Sequence, residues 1–223
     1  MAIHYTRSEA LLNTWSHAAG ILLGAVTGTL LLMMCAGSDD GWAGTGVVLY
    51  LAGMLASYIA STLYHAMPEC YCRLKERLRK LDHAAIYWHI AGSYSPLTLI
   101  ALRHEGLWGW VLFVFIWSCA LAGTMMSFRR LREHSNIETM CYIGMGISVL
   151  AAFRPLINSV SPAAVWWMLP RACFTSQVFC STASTNAATC TAYSISLFSP
   201  APSVTSLPYG TCSCSICEGD GII

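Results

Sequence analysis

Residues 42–65, WAGTGVVLYLAGMLASYIASTLYH, hold no Lys, Arg, Asp or Glu and are long enough to cross a bilayer as one helix. The run closes on Ser61-Thr62-Leu63-Tyr64-His65, and the next apolar run opens on Leu81-Asp82-His83. Ionisable groups beside lipid are costly and persist where a bundle interior or a cavity receives them. A hydroxyl, an imidazole and a carboxylate at one level of a helical bundle therefore mark a candidate site, and their chemistry suits a metal.

Working outward, the whole chain reads as an all-α, polytopic membrane bundle. Of its 223 residues 56% are hydrophobic and only 10% charged, where a soluble domain carries about a quarter. The net charge of +1 gives no reason to expect nucleic acid as a partner. Arg7 precedes the first apolar stretch, but Glu9, Asn13 and His17 interrupt it, which is not the layout of a signal peptide. The eleven cysteines are scattered and form no disulfide framework.

Ala18–Ala36, Trp42–Ala60, Ala84–Leu102, Leu107–Phe128 and Met140–Phe153 supply five complete spans. Pro96 is the expected kink in the third, and the second is expected to run on through His65 towards Pro68. A sixth span begins at residues 163–169 and stops. With the N-terminus inside, the cytoplasmic face receives nine basic side chains: Arg7, the run Arg73, Lys75, Arg77, Arg79 and Lys80, and Arg129, Arg130 and Arg132. The outer face receives Arg103 and Arg154, so the N-terminus is expected in the cytoplasm. The 73–80 run needs no role beyond anchoring that topology.

This arrangement collects the polar residues at one end. Glu9, Asn13 and His17 recur every fourth residue, as do Ser57, Ser61 and His65, while Asp82 and His89 share a face seven residues apart. Imidazole is a good zinc ligand, a carboxylate can hold a metal-bound water, and a hydroxyl can orient it. His65, Asp82 and Ser61 suit those roles. Each also has an ordinary reading: an interfacial histidine, and an aspartate capping the start of a helix. One ligand does not make a site, and His17, His83 or His89 could contribute; His4, His104 and His134 read as solvated.

These residues resemble the haemolysin III family, the bacterial branch of the progestin and adiponectin receptor superfamily. The likeness rests on Glu9-x-x-x-Asn13-x-x-Ser16-His17-x-x-Gly20 and on Ser61-Thr62-Leu63-Tyr64-His65. It also rests on Asp82-His83-x-x-Ile86-Tyr87-x-x-Ile90-Ala91-Gly92-Ser93-Tyr94-Ser95-Pro96, and it covers residues 5 to 169. It implies seven transmembrane helices, a bacterial inner-membrane location, and a zinc held by His65 with a His-x-x-x-His pair on the last helix. Asp82 would approach that zinc through a water, and Ser61 would be the nearby hydroxyl. The implied activity is hydrolysis of a lipid amide or ester, with membrane lipids as substrate or partner. Cytolysis, after which the family is named, and lipid sensing without catalysis are the alternatives.

The chain departs from this pattern after Leu169. From Pro170 onward it has no His and no Lys, and Ser181-Thr182-Ala183-Ser184-Thr185-Asn186 leads into a Ser-, Thr-, Pro- and Cys-rich tail. The sequence thus divides into a membrane domain, 1–169, and a tail, 170–223, expected to be disordered. The abrupt change in composition suggests a shifted reading frame, which translation of the other two frames checks; the competing reading is a natural disordered or O-glycosylated stalk. Cys212-x-Cys214-x-x-Cys217 in the tail lacks the spacing of a zinc site. Without the His-x-x-x-His pair, little or no activity is expected of this chain.

Overall fold

Buried residues on the first helix, α1 (Arg7–Ala36), fall on a narrow stripe: Asn13, His17, Gly20, Gly24, Gly28 and Leu31. That spacing is one helix face, and the opposite face leaves Leu22, Val26, Leu30 and Met33 exposed, as suits contact with lipid. The protein is described here by a computed structural model covering residues 7–37, 40–129 and 136–160. The sixth-span stub and the 170–223 tail lie outside these described residues, and so does the division between them.

The stripe of α1 meets α2 (Gly41–Ala66) running antiparallel. Gly20 lies against the Tyr58 ring, Gly24 against Met54 and Gly28 against Leu51, which sets the register of the pair. Helices in a bilayer gain little from hydrophobic burial against one another, so close packing through small residues is what joins them. Asp40 starts α2 by accepting the Trp42 N–H at 3.1 Å and pairing with Arg103 at 2.5 Å. Trp42 and Trp110 meet edge to face there, 4.9 Å between ring centres.

The tightest contact is between α2 and α3 (Cys72–Pro96). A Cβ on Gly53 would collide with the Trp88 carbonyl, one on Gly92 would come 2.8 Å from the Leu49 carbonyl, and one on Gly46 would sit 3.1 Å from Pro96 Cα. Pro96 has no N–H to offer the turn before it. The chain answers with a π turn over Leu97–Ala101, where the Leu102 N–H reaches back to the Leu97 carbonyl. Ser95 Oγ donates to the Ala91 carbonyl at 3.0 Å and Thr98 Oγ1 to the Tyr94 carbonyl at 2.9 Å, so hydroxyls supply donors beside the interruption. The fourth helix, α4 (Trp108–Arg129), covers the other side of α3, with Gly123 against the Tyr87 ring. Last come α5 (Asn136–Ile147), a 3-10 stretch at Ser148–Ala152, and α6 (Phe153–Ser159).

The all-α bundle expected from the sequence is therefore what forms, but with fewer spans among the described residues. Four stretches are long and apolar enough to cross a membrane: Ala10–Ala36, Gly41–Ala66, Trp108–Arg129 and Met140–Ser159. The third expected span, 84–102, does not qualify as an apolar helix of its own. Its helix starts at Cys72 in the charged run, carries His89, Ser93 and Ser95, and changes register after Pro96. The cause is its place in the fold. Buried between α2 and α4, α3 can be polar where an outer helix cannot. Asp82 accordingly stands well inside α3 rather than capping its start.

An ion pair fastens α5 to α3 just before the apolar part of either helix. His83 Nδ1 and Glu138 Oε2 are 2.8 Å apart, Ser127 Oγ donates to Glu138 Oε1 at 3.1 Å, and the Tyr142 hydroxyl donates to the His83 carbonyl at 3.0 Å. The hydrogen bond to Glu138 raises the His83 pKa above its ordinary value, and the same bond lowers that of Glu138. A raised histidine stabilises the fold below its unfolded pKa and loses that stabilisation as pH rises through the folded one; a lowered carboxylate behaves oppositely, losing it as pH falls.

Two outcomes follow from this packing. Gly53→Ala should destabilise the bundle by about 1–3 kcal/mol, whereas Gly44→Ala, with nothing within 4 Å, should leave it unharmed; thermal unfolding in detergent compares them. The melting temperature should be highest between the two shifted pKa values and fall on raising pH through that of His83. His83→Gln should flatten the alkaline limb, and an unchanged limb would separate the pair from the pH dependence.

Candidate functional site

The packing of α1, α2 and α3 brings their polar stripes together at one end of the bundle. Along α2 the buried face runs Ser57, Tyr58, Ser61 and His65, a helical repeat that places Ser61 and His65 one above the other. Asp82, from the first half of α3, meets this face directly: the Ser61 hydroxyl donates to Asp82 Oδ1 in a buried hydrogen bond. This side-chain contact spans two helices and fixes their polar ends at one level.

The third helix of the site is α1. His17 lies beside His65 with ring centres 5.8 Å apart and planes within 6°, and its ring centre is 6.1 Å from that of Tyr58. Tyr58 in turn meets His89 of α3 edge to face at 5.8 Å. Asn13, one turn before His17 on the same stripe, is buried too. The site is thus a layer of Asn13, His17, Tyr58, Ser61, His65, Asp82 and His89, every one of them under a tenth exposed.

Of the residues singled out in the sequence, Ser61, His65 and Asp82 come to this layer together, and so do His17 and His89. His83 does not: its ring turns to Glu138 on α5, away from Ser61 and His65. The sequence reading gave Tyr58 no part, although it falls in the 58–61–65 helical repeat that carries Ser61 and His65. It also left out Glu138 and Ser127, which no local pattern ties to His83. The Glu9 side chain is outside the described ones.

The residues present do not supply the zinc set that the resemblance implies. Among the described residues no group of three His, Cys, Asp or Glu converges on a point where a metal could sit. Of the three implied histidines, His65 alone has a counterpart, because the chain has no histidine after His134. The donor set therefore does not fit a three-histidine zinc. What the layer offers instead is a hydroxyl–carboxylate pair, buried imidazoles and an amide.

Known proteins resemble this chain over most of its length. The sequence profile described as "Haemolysin-III related" matches residues 5–198. A protein named hemolysin-3 homolog, from Bacillus subtilis (strain 168), is 31% identical over 159 residues, which is 71% of this chain and 73% of that protein. Hemolysin-3 of Bacillus cereus is 31% identical over 153 residues, 69% of this chain and 68% of its own. The likeness extends to the monocyte to macrophage differentiation factor of Homo sapiens, 31% identical over 158 residues, 68% of this chain and 63% of that protein. With a profile covering most of the chain, and four apolar helices packed as a bundle, this is a multi-pass membrane protein that belongs to the haemolysin-III related family.

Proposed function

We propose that this protein binds membrane lipid at the α1–α3 end of its bundle, in a site of the lipid-amide or lipid-ester hydrolase type that does not turn its lipid over. The observation that carries this reading is the buried hydrogen bond from Ser61 to Asp82, with His65 one turn away. A hydroxyl and a carboxylate held together inside a lipid-facing bundle are expensive, and such groups mark functional positions in membrane proteins. The absence of turnover follows from the ligand set. With His65 the single counterpart of the implied zinc histidines, hydrolysis is not expected of this chain.

The site is proposed to open towards the cytoplasm of a bacterial cell, since the same end carries Arg7, the Arg73–Lys80 run and Arg129. Arg103 marks the opposite end, paired with Asp40. A second reading, permeabilisation of membranes, is favoured by the names of the two Bacillus relatives alone.

Purified chain in proteoliposomes should retain a radiolabelled lipid amide, lose that retention on Asp82→Leu, and hydrolyse it no faster than empty liposomes. Zinc-dependent hydrolysis abolished by His65→Ala would overturn the inactive assignment. Dye release from the same liposomes, unaffected by His65→Ala, would favour permeabilisation instead. Cys70 and Cys72, both exposed at the proposed inner end, should resist a membrane-impermeant maleimide in intact cells and react after lysis. Labelling in intact cells would reverse the topology.

A further inference from the structure

Two side chains of α1 in the polar layer are left with hydrogen-bonding groups unused. Asn13 is 1% exposed and its Nδ2 has no partner among the described residues. His17 is 7% exposed, and neither of its ring nitrogens has one. Buried polar groups in folded proteins are nearly always paired, and an unpaired one costs more than an ordinary hydrogen bond gains. Two on adjacent turns of one helix face form a place built for something to bind.

The chemistry of a ligand for these two side chains follows from their donors and acceptors. An amide Nδ2 carries two N–H groups and no lone pair, and a neutral imidazole carries one N–H and one lone pair. A cation would find a partner in the histidine and be repelled by the amide hydrogens. An oxygen with two lone pairs accepts from both residues at once. Position narrows the ligand further. His17 packs against Tyr58 and His65, which flank Ser61 on α2, so its ring is level with the Ser61–Asp82 pair. Asn13 lies one turn closer to the end where apolar helix gives way to the 73–80 charged run. That is the depth at which hydrocarbon gives way to headgroups, and the oxygen a lipid presents there is that of its acyl group.

We propose that Asn13 and His17 together bind the acyl oxygen of a membrane lipid, holding its carbonyl opposite the Ser61–Asp82 pair. The inference rests on the lipid-site reading above and names the atom that site recognises. It covers an amide or ester carbonyl and a free carboxylate alike, since both offer the same acceptor.

Isotope-edited infrared spectroscopy on the full chain in nanodiscs reads the contact directly, with a fatty amide labelled 13C at its carbonyl and, separately, carboxyl-labelled palmitic acid. The labelled carbonyl band of the bound ligand should move to lower wavenumber in the wild type. Asn13→Leu and His17→Phe should each return it towards its free position and weaken binding about three- to tenfold, while His17→Gln, which keeps an N–H, should retain the shift. Whichever ligand gives the shift identifies the source of the oxygen. Because Leu matches Asn in shape, Asn13→Leu should hold or raise the melting temperature if the amide is unpaired in the free protein. A band that does not respond to either substitution, or an Asn13→Leu variant that melts lower with the band unmoved, would overturn the proposal and assign these groups to a structural water. Binding lost with Asp82→Leu but indifferent to Asn13 and His17 would leave the lipid site standing and remove this inference; no binding by the wild type would remove both.

Discussion

The closeness of the α2 and α3 backbones is the constraint on which the other features depend. Gly53 on one helix and Gly92 on the other let backbones approach to distances that a Cβ would forbid, and Gly46 adds a contact that a Cβ would crowd. In water such an interface would be assisted by burial of apolar surface. In lipid that assistance is largely absent, and shape at short range has to supply the attraction. The same logic repeats between α1 and α2 through Gly20, Gly24 and Gly28. With both interfaces set by glycine, the register of three helices is fixed to within a turn, and polar groups distant in sequence arrive at one level.

That register explains why α3 tolerates a composition an outer helix could not. It carries Asp82, His89, Ser95 and Thr98 along a path interrupted by proline, yet all of these are covered by its neighbours. Ser61 donates to Asp82, Trp117 Nε1 donates to Ser95 Oγ at 3.1 Å, and the hydroxyls of Ser95 and Thr98 donate to carbonyls beside the proline. Several polar groups of α3 are thus matched with partners, which makes Asn13 and His17 on α1, unmatched among the described residues, informative. A site emerges where the bundle stops satisfying itself.

How much of this was legible beforehand depends on whether a feature is local. The helical repeat of Ser57, Ser61 and His65, and that of Asn13 and His17, can be read because spacing along one helix fixes which residues share a face. The ends of α2 and α4 were close for the same reason, since loss of apolar residues marks them. The π turn after Pro96 was readable only as an interruption, because which register the backbone takes depends on the neighbours that accept it. His83 is the clearest case of illegibility. It stands next to Asp82 in sequence, but on a helix adjacent residues point about 100° apart, and its partner Glu138 belongs to a helix 55 positions on.

By itself the sequence determined that the chain is a helical membrane bundle, which of its residues lie on common faces, and which family it belongs to. All three follow from composition, period and short blocks, which are properties of contiguous residues. It also determined that no second and third histidine follow His134 to complete a zinc set. Tertiary structure decided which faces meet: that Ser61 finds Asp82, that His17 rather than His83 stands beside His65, and that Asn13 is buried with its Nδ2 unpartnered among the described residues. Those facts depend on the rotation and depth of one helix against another, and they are set by glycine contacts whose other halves lie tens of residues away.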